Sequence, residues 1–318
     1  MTGSSKEQII SEDFMYEIII IGGGPAGLTA AVYSARKLLN TFLIAKDVGG
    51  QVMWTSSVEN YMGYQVIESD ELIDRFQKQV DQFPVVKKIG VNVMQVKKIN
   101  GGFEVTADSG EKFQGQSVIL ASGKRPRRLS IAGETELMGH GVTYCSTCDA
   151  PDYTGQKVAV IGGGNSALEA ALDLLKVAEH VDMVSVTPLT GDPILIKKVI
   201  EAKNLTIYKE YQTEKILGEG TVEGIVVTDI KTGSSKQLDV TGVFIEIGLV
   251  PNSDMVRDLI KLNQAGEVPI NAACETEIPG LFAAGDVSTV PEKQIVIAAG
   301  EGAKAALAAH RYLRRLPK

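Results

Sequence analysis

Tyr16-Glu-Ile-Ile-Ile-Ile-Gly22-Gly-Gly24-Pro-Ala-Gly27-Leu28-Thr-Ala-Ala-Val-Tyr-Ser-Ala-Arg36 is the stretch on which the fold turns. A short β-branched run such as Ile18 to Ile21 reads as a strand buried on both faces of a parallel sheet. The glycines follow at once. From Leu28 the residues read as a helix packed through small side chains, and residues 41–45 read as the next strand. Strand, glycine turn, helix and strand within about thirty residues is the setting in which G-x-G-x-x-G binds a dinucleotide. Gly22 makes the tight turn and Gly24 lets a pyrophosphate approach the backbone. Gly27, after Pro25 and Ala26, lets helix and strand pack closely. The helix turns its positive N-terminus toward the phosphates.

The pattern recurs. Residues 157–161 read as a strand, Gly162-Gly-Gly164-Asn165-Ser166-Ala167 as the turn, 168–177 as the helix and 181–186 as the next strand. One glycine-rich turn is weak evidence, whereas two in the same setting point to two nucleotide sites. Between them, residues 91–119 alternate in strand fashion, with turns at Asn100-Gly-Gly102 and Asp108-Ser-Gly110. Residues 205–247 are a second β-rich stretch. Residues 275–286 read as a short strand ending in Gly285-Asp286, and 294–313 as a final helix. The fold class is α/β.

Cys145-Ser-Thr-Cys148-Asp149 carries the chemistry. Two thiols so spaced can close into a disulfide and open again. The first thiolate can attack a partner disulfide and the second can resolve the mixed disulfide. Half a zinc site and inert buried thiols are the competing readings. Zinc takes four ligands, and Cys274, His140, His180 and His310 form no spaced pair, so no metal is expected. Cys274 reads as a packed thiol and His140 as a surface residue.

Composition sets the bounds. With 318 residues the chain holds about two domains, and 44 % apolar with 22 % charged residues is ordinary for a globular protein. A net charge of −7 without a long basic run excludes a nucleic-acid partner. The run from Ile18 to Ile21 is too short to cross a bilayer. The first fourteen residues lack the pattern of a signal peptide, and 3 cysteines make no structural disulfide framework. A cytoplasmic location is expected.

Taken in order, the markers Gly22-x-Gly-Pro-Ala-Gly27, Gly49-Gly-Gln51, Val58-Glu-Asn-Tyr61, Ala121-Ser-Gly123, Cys145-Ser-Thr-Cys-Asp149, Gly162-x-Gly-x-x-Ala167, Gly285-Asp286 and Gln294-Ile295 carry a resemblance. The chain resembles the low-molecular-weight thioredoxin reductases and the matching reductase portion of alkyl hydroperoxide reductase flavoproteins, over residues 15–315. Ala298-Ala-Gly-Glu-Gly-Ala303 is closest to the hydroperoxide-reductase type. The resemblance implies two Rossmann-like dinucleotide-binding domains of the three-layer ββα type, the second inserted into the first. Residues 1–121 plus 248–318 would bind FAD, and 122–247 would carry the redox-active disulfide. It also implies a homodimer.

The same resemblance assigns roles. Asp286 would accept hydrogen bonds from the ribityl chain of FAD, and Gln51 and Asn60 would be flavin-contacting amides. Lys293, Gln294 and Ile295 open the last helix, whose dipole would steady the reduced ring. Gly123 belongs to the same side. Lys46 and Asp47 lie where a ribose is often held. Cys148 would face the flavin, Asp149 would assist its proton transfer, and Cys145 would attack a thioredoxin-like or glutaredoxin-like protein. Since one disulfide cannot face flavin and partner at once, the smaller domain would rotate.

The second glycine turn departs from the family. NADPH-dependent members follow it with a strand ending in His-Arg-Arg, whereas here the place reads Met183-Val-Ser-Val-Thr-Pro-Leu189. No acid stands at the strand end to hold the ribose of NADH. Two missing charge-assisted contacts of ~1.5–3 kcal/mol each weaken binding about a hundredfold or more. Three explanations stay open. Lys197 and Lys198 supply the charge, NADH binds weakly through Gly162, Gly164, Asn165, Ser166 and Ala167, or electrons come from ferredoxin or a deazaflavin. Poor or absent NADPH use is the expectation. Two further readings are an electron donor to a peroxiredoxin system and an FAD-binding redox sensor without turnover.

Overall fold

The computed structural model describes residues 14–54 and 57–317, so the reading of residues 1–13 lies outside the described residues. The chain divides into two compact units, one of residues 1–53, 61–125 and 250–318, the other of 54–60 and 126–249. Both are mixed α/β, as the two glycine turns require.

The first unit is built on the strand Met15–Gly23. It lies between two parallel neighbours, Thr41–Val48 and Lys112–Leu120. Val86–Ile89 extends the sheet beyond Thr41–Val48, and Leu281–Ala283 adds a parallel strand to Lys112–Leu120. Near its start, Lys112–Leu120 also pairs antiparallel with Gly102–Ala107, which pairs with Val93–Ile99. One long strand thus serves a parallel nucleotide-type sheet and an antiparallel meander.

Burial on both faces explains the isoleucine run. Ile18 and Ile20 pack with Ala30 and Ala31 of the helix Pro25–Arg36 and with Ala305 and Ala309 of the C-terminal helix Ile295–Leu313. Ile19 and Ile21 pack on the opposite face with Phe42, Phe103 and Phe113. All four isoleucines are at most 3 % exposed. Each contributes about 1.5–3 kcal/mol relative to an exposed side chain. The two helices touch through small residues, so closely that a Cβ on Gly302 would stand 2.0 Å from the Ala26 carbonyl oxygen.

The second unit repeats the plan. Lys157–Ile161 lies between His180–Ser185 and Gly242–Ile245 in a five-stranded parallel sheet, with Leu205–Lys209 and Val142–Thr143 at its edges. Val158 and Val160 face one core and Ala159 and Ile161 the other. Tyr211–Leu217, Gly224–Asp229 and Ser235–Leu238 form an antiparallel sheet beside it.

Both glycine-turn helices begin earlier than the apolar spacing suggests, at Pro25 rather than Leu28 and at Asn165 rather than Leu168. Proline suits the first helical position because its fixed φ is already helical and the N–H it lacks would be unpaired there. The second helix ends at Leu174 instead of Val177, in turns where the Val177 carbonyl accepts the Gly155 N–H at 2.9 Å.

Candidate functional site

Two sites emerge, one per unit. In the first unit the strand Met15–Gly23 delivers the chain to Gly22, whose φ of 119° is left-handed and whose Cβ, if present, would lie 2.2 Å from the Ala121 carbonyl oxygen. A Cβ on Gly27 would stand 1.9 Å from the Gly22 carbonyl oxygen, so a side chain at either position would push the helix off the turn. Gly24 is different, since a Cβ there would meet only the Gly49 carbonyl oxygen at 3.9 Å. Gly24 caps the helix without any side-chain hydrogen bond. With no side chain capping the first-turn N–H groups that follow Pro25 and room left at Gly24, this helix start suits a phosphate.

Around this turn the structure gathers Gln51, Gly123, Asp286 and Lys293. Gln51 donates from Nε2 to an Asp286 carboxylate oxygen at 2.8 Å, and a Cβ on Gly123 would lie 3.6 Å from that Nε2. Burial raises the Asp286 pKa, while the Gln51 hydrogen bond and the charges of Lys293 and Lys124 oppose the shift. Sequence reading missed two members of this cluster, Lys124 and Glu267. Glu267 binds Lys124 at 2.7 Å and Lys293 at 3.3 Å. Burial pushes the Glu267 carboxyl up, but Lys124, Asn263 and Lys293 prevail and hold it below its usual range. Burial and the neighbouring Lys124 lower the Lys293 pKa. Lys293 also donates to the Ser288 carbonyl at 2.7 Å. Gln294 caps the C-terminal helix and Ile295 begins it. Lys46 and Asp47 are exposed on their strand. Asn60 is exposed and falls in the other unit, so the two amides named as flavin contacts belong to different units.

In the second unit Cys145 and Cys148 form a disulfide with Cα atoms 5.4 Å apart. The single helical turn Ser146–Asp149 holds them. Asp149 is buried. Its carboxylate accepts from the Thr143 hydroxyl, and that hydroxyl oxygen in turn accepts the Cys145 N–H at 3.1 Å. Thr143 thus ties the acid to the first cysteine. A pocket of about 30 Å3, room for a water molecule, lies beside them, lined among others by Trp54, Thr143, Asp149 and Tyr153. Burial, with Asp149 and Asp152 nearby, pushes the Tyr153 phenol up to about 12.

Tyr144, next to Cys145, is held from behind. Its hydroxyl donates to Glu134 at 2.7 Å, and Glu134 also accepts the N–H groups of Leu129 at 3.0 Å and Ser130 at 2.6 Å. Glu134 is only 1 % exposed. Burial and Glu134 raise the Tyr144 pKa far above its ordinary value. Nothing in the spacing of a lone Glu ten residues before a Tyr signals this latch.

At the second glycine turn, Gly162 packs against the Glu246 carbonyl, Gly164 caps the helix Asn165–Leu174 over open space and Ala167 is fully buried. The segment after His180–Ser185 folds back onto this turn. Thr190 donates its N–H to the Gly163 carbonyl at 2.8 Å, and Asp192 donates its N–H to the Asn165 side chain at 2.7 Å. Asn165 returns a bond to the Asp192 carboxylate at 3.3 Å. Ser166 donates to the Glu246 carboxylate. Lys197 and Lys198 lie in the last turn of Pro193–Ile200, the end away from Asp192, and Lys197 faces Glu201 at 3.9 Å.

Cys274 is buried apart from the disulfide, and burial pushes its thiol up to about 12. Among the described residues there is no helix long and apolar enough to cross a membrane.

Comparison with known proteins agrees with this geometry. The sequence profile of the pyridine nucleotide-disulphide oxidoreductases matches residues 16–302. A protein of Escherichia coli named as a component of alkyl hydroperoxide reductase is 39 % identical over 99 % of this chain and 62 % of its own length. A Bacillus subtilis protein named NADH dehydrogenase is 38 % identical over 94 % of this chain and 59 % of its own. The chain thus spans about three-fifths of the length of the curated relatives it matches. Among solved structures, thioredoxin reductase from Streptococcus pyogenes superposes with a TM-score of 0.90 at 32 % identity, covering 96 % of this chain and 100 % of that one. Thioredoxin reductase from Giardia duodenalis gives 0.87 at 30 %, covering 94 % and 99 %.

Proposed function

The chain belongs to the pyridine nucleotide-disulphide oxidoreductase family, and on that footing we propose that it is a flavoprotein disulfide reductase passing electrons from FAD through Cys145 and Cys148 to a thioredoxin-like protein. The carrying observation is the closed disulfide directly before a buried acid that shares Thr143 with Cys145.

A bound flavin supplies the two-electron reductant. Gly22, Gly24 and Gly27 would seat its pyrophosphate on the helix N-terminus. Asp286, aligned by Gln51, would take the ribityl hydroxyls, and Lys293 would stand by the ring. With the pair reduced, the Cys145 thiolate attacks the partner disulfide, and one Cys145–partner S–S bond forms as one partner thiolate leaves. Cys148 then attacks the Cys145 sulfur, which closes the Cys145–Cys148 bond and releases the second partner thiolate. Asp149 holds the proton that Cys148 gives up in this cycle.

Weak use of NADPH or NADH is part of the proposal. The segment from Val186 to Asp192 contains no Lys or Arg to pair a 2′-phosphate, and a donor such as ferredoxin is the alternative. Mixing the purified protein with NADPH, NADH and reduced ferredoxin in turn, while following flavin absorbance, tests the donor. Rapid bleaching by NADPH refutes that part. A Cys148→Ser protein that still reduces a thioredoxin disulfide at the parent rate refutes the whole. The likeness to the alkyl hydroperoxide reductase component along nearly the whole chain favours a second reading, in which a separate thioredoxin-like carrier takes the electrons to a peroxiredoxin. Peroxide consumption that requires both added proteins decides for it.

A further inference from the structure

The second glycine turn has the parts of an anion site. The ten-residue helix Asn165–Leu174 starts at Gly164 without a side-chain cap, and a Cβ on Gly164 would meet nothing within 4 Å. Such an N-terminus draws negative charge. The chain already supplies one. Glu246 follows the strand Gly242–Ile245, beside the strand that leads into the turn, and its carboxylate accepts from the Ser166 hydroxyl in the first turn of that helix. Ser146, between the two cysteines, stands near enough to favour the ionised form of the same carboxylate. Glu246 therefore lies between the glycine turn and the redox loop.

We infer that Glu246 is a resident anion of the second glycine turn and a specificity-determining residue, which excludes the pyrophosphate of a nicotinamide dinucleotide by occupying the Ser166 position with a like charge. The inference deepens the reading that nicotinamide use is weak, and rests on it. The other charges at the turn have the same sign. Asp192 is bonded to Asn165, and Glu169 is close enough to Glu246 to disfavour its ionised form. A pyrophosphate seated at Gly164 would face this carboxylate with no fixed cation in compensation from the segment 186–192. Burial is the largest influence and raises the Glu246 pKa, while the Ser166 hydrogen bond and the nearby Ser146 favour the ionised form and oppose the rise. Bonds to the ionised form are what a stand-in for phosphate would attract.

The test is binding rather than turnover. NAD+, NADP+ and ADP-ribose are titrated calorimetrically into the oxidised holoprotein and its Glu246→Gln and Glu246→Ala variants. Glutamine keeps the shape and one acceptor. Alanine is a second neutral variant should glutamine fail to fold, with FAD retention and melting temperature as the check. The expected result is at least about a tenfold tightening for all three ligands in either folded variant, the scale of removing one like charge from beside a pyrophosphate. Tight binding by the parent, or neutral variants that bind no better than the parent, overturns the inference. Neither outcome depends on Cys145 or Cys148, so failure here is distinct from failure of the disulfide-reductase reading, which the Cys148→Ser assay reports.

Discussion

Replacing Asp149 with Asn isolates proton transfer from architecture. The amide oxygen of Asn can still accept from the Thr143 hydroxyl, and that hydroxyl keeps its bond from the Cys145 N–H. Fold and disulfide should survive; only the group that can hold a proton is removed. General acid–base groups contribute about 10²–10⁴-fold. The buried position of Asp149 argues for a large effect, because bulk water cannot freely take over its place beside the half-buried cysteines. The water-sized pocket lined by Asp149 and Tyr153 argues for a smaller one, since a single water there can relay a proton. The loss is therefore expected at the lower end, about 10²-fold, or about 2.7 kcal/mol of barrier. The assay is stopped-flow reduction of a thioredoxin disulfide under single-turnover conditions, with the partner dissociation constant measured separately. A loss below threefold, or a loss explained by weaker partner binding, refutes the proton-transfer role. Thr143→Val serves as comparison, for it leaves the carboxylate in place but strips its donor and orphans the Cys145 N–H.

Gly27→Ala should prevent holoprotein formation, because its Cβ would meet the Gly22 carbonyl oxygen at 1.9 Å and neither backbone can yield; FAD content after purification reports it, and a fully yellow variant would contradict the packing argument. Glu134→Ala should destabilise by about 2–4 kcal/mol, since three hydrogen bonds to a buried side chain are lost while the Leu129 and Ser130 donors are only part-buried. Urea unfolding measures this, and Tyr144→Phe should cost less, having only one of the bonds to lose. The thiol of Cys274 should resist alkylation at pH 8 in the native protein, since burial holds it protonated until the pH nears about 12 and only thiolate reacts. Its stabilising effect is full below the unfolded thiol pKa and fades as pH rises from there toward the native value. Rapid labelling at pH 8 without unfolding would overturn this.

The sequence disclosed what local chemistry enforces. Four consecutive isoleucines before three glycines leave no choice but a doubly buried strand and a bare turn, and the second copy repeats the logic with Val158 to Ile161. The disulfide was legible because its cysteines are near neighbours. What stayed hidden depends on partners distant along the chain. Glu246 meets Ser166 from 80 residues away, and Glu267 meets Lys124 from 143. Neither carboxylate carries a periodic signal, and each stands in an ordinary strand-end or loop context. The refolding of residues 186–192 onto the turn was equally invisible. It depends on Asp192 capping one helix while bonding to the first residue of another.

The first unit is assembled from pieces that leave the ribosome far apart in time. Lys112–Leu120 exposes its outer edge until Leu281–Ala283 emerges, with Ile119 awaiting Phe282 and the Leu120 carbonyl awaiting the Ala284 N–H at 2.8 Å. Every contact inside residues 126–249 can be made meanwhile. The inserted lobe is thus free to mature during translation, while its host stays an open template and long-range pairing is deferred. Asp286 and Lys293 come later still, so capture of the cofactor is set to be among the last events in the making of the molecule.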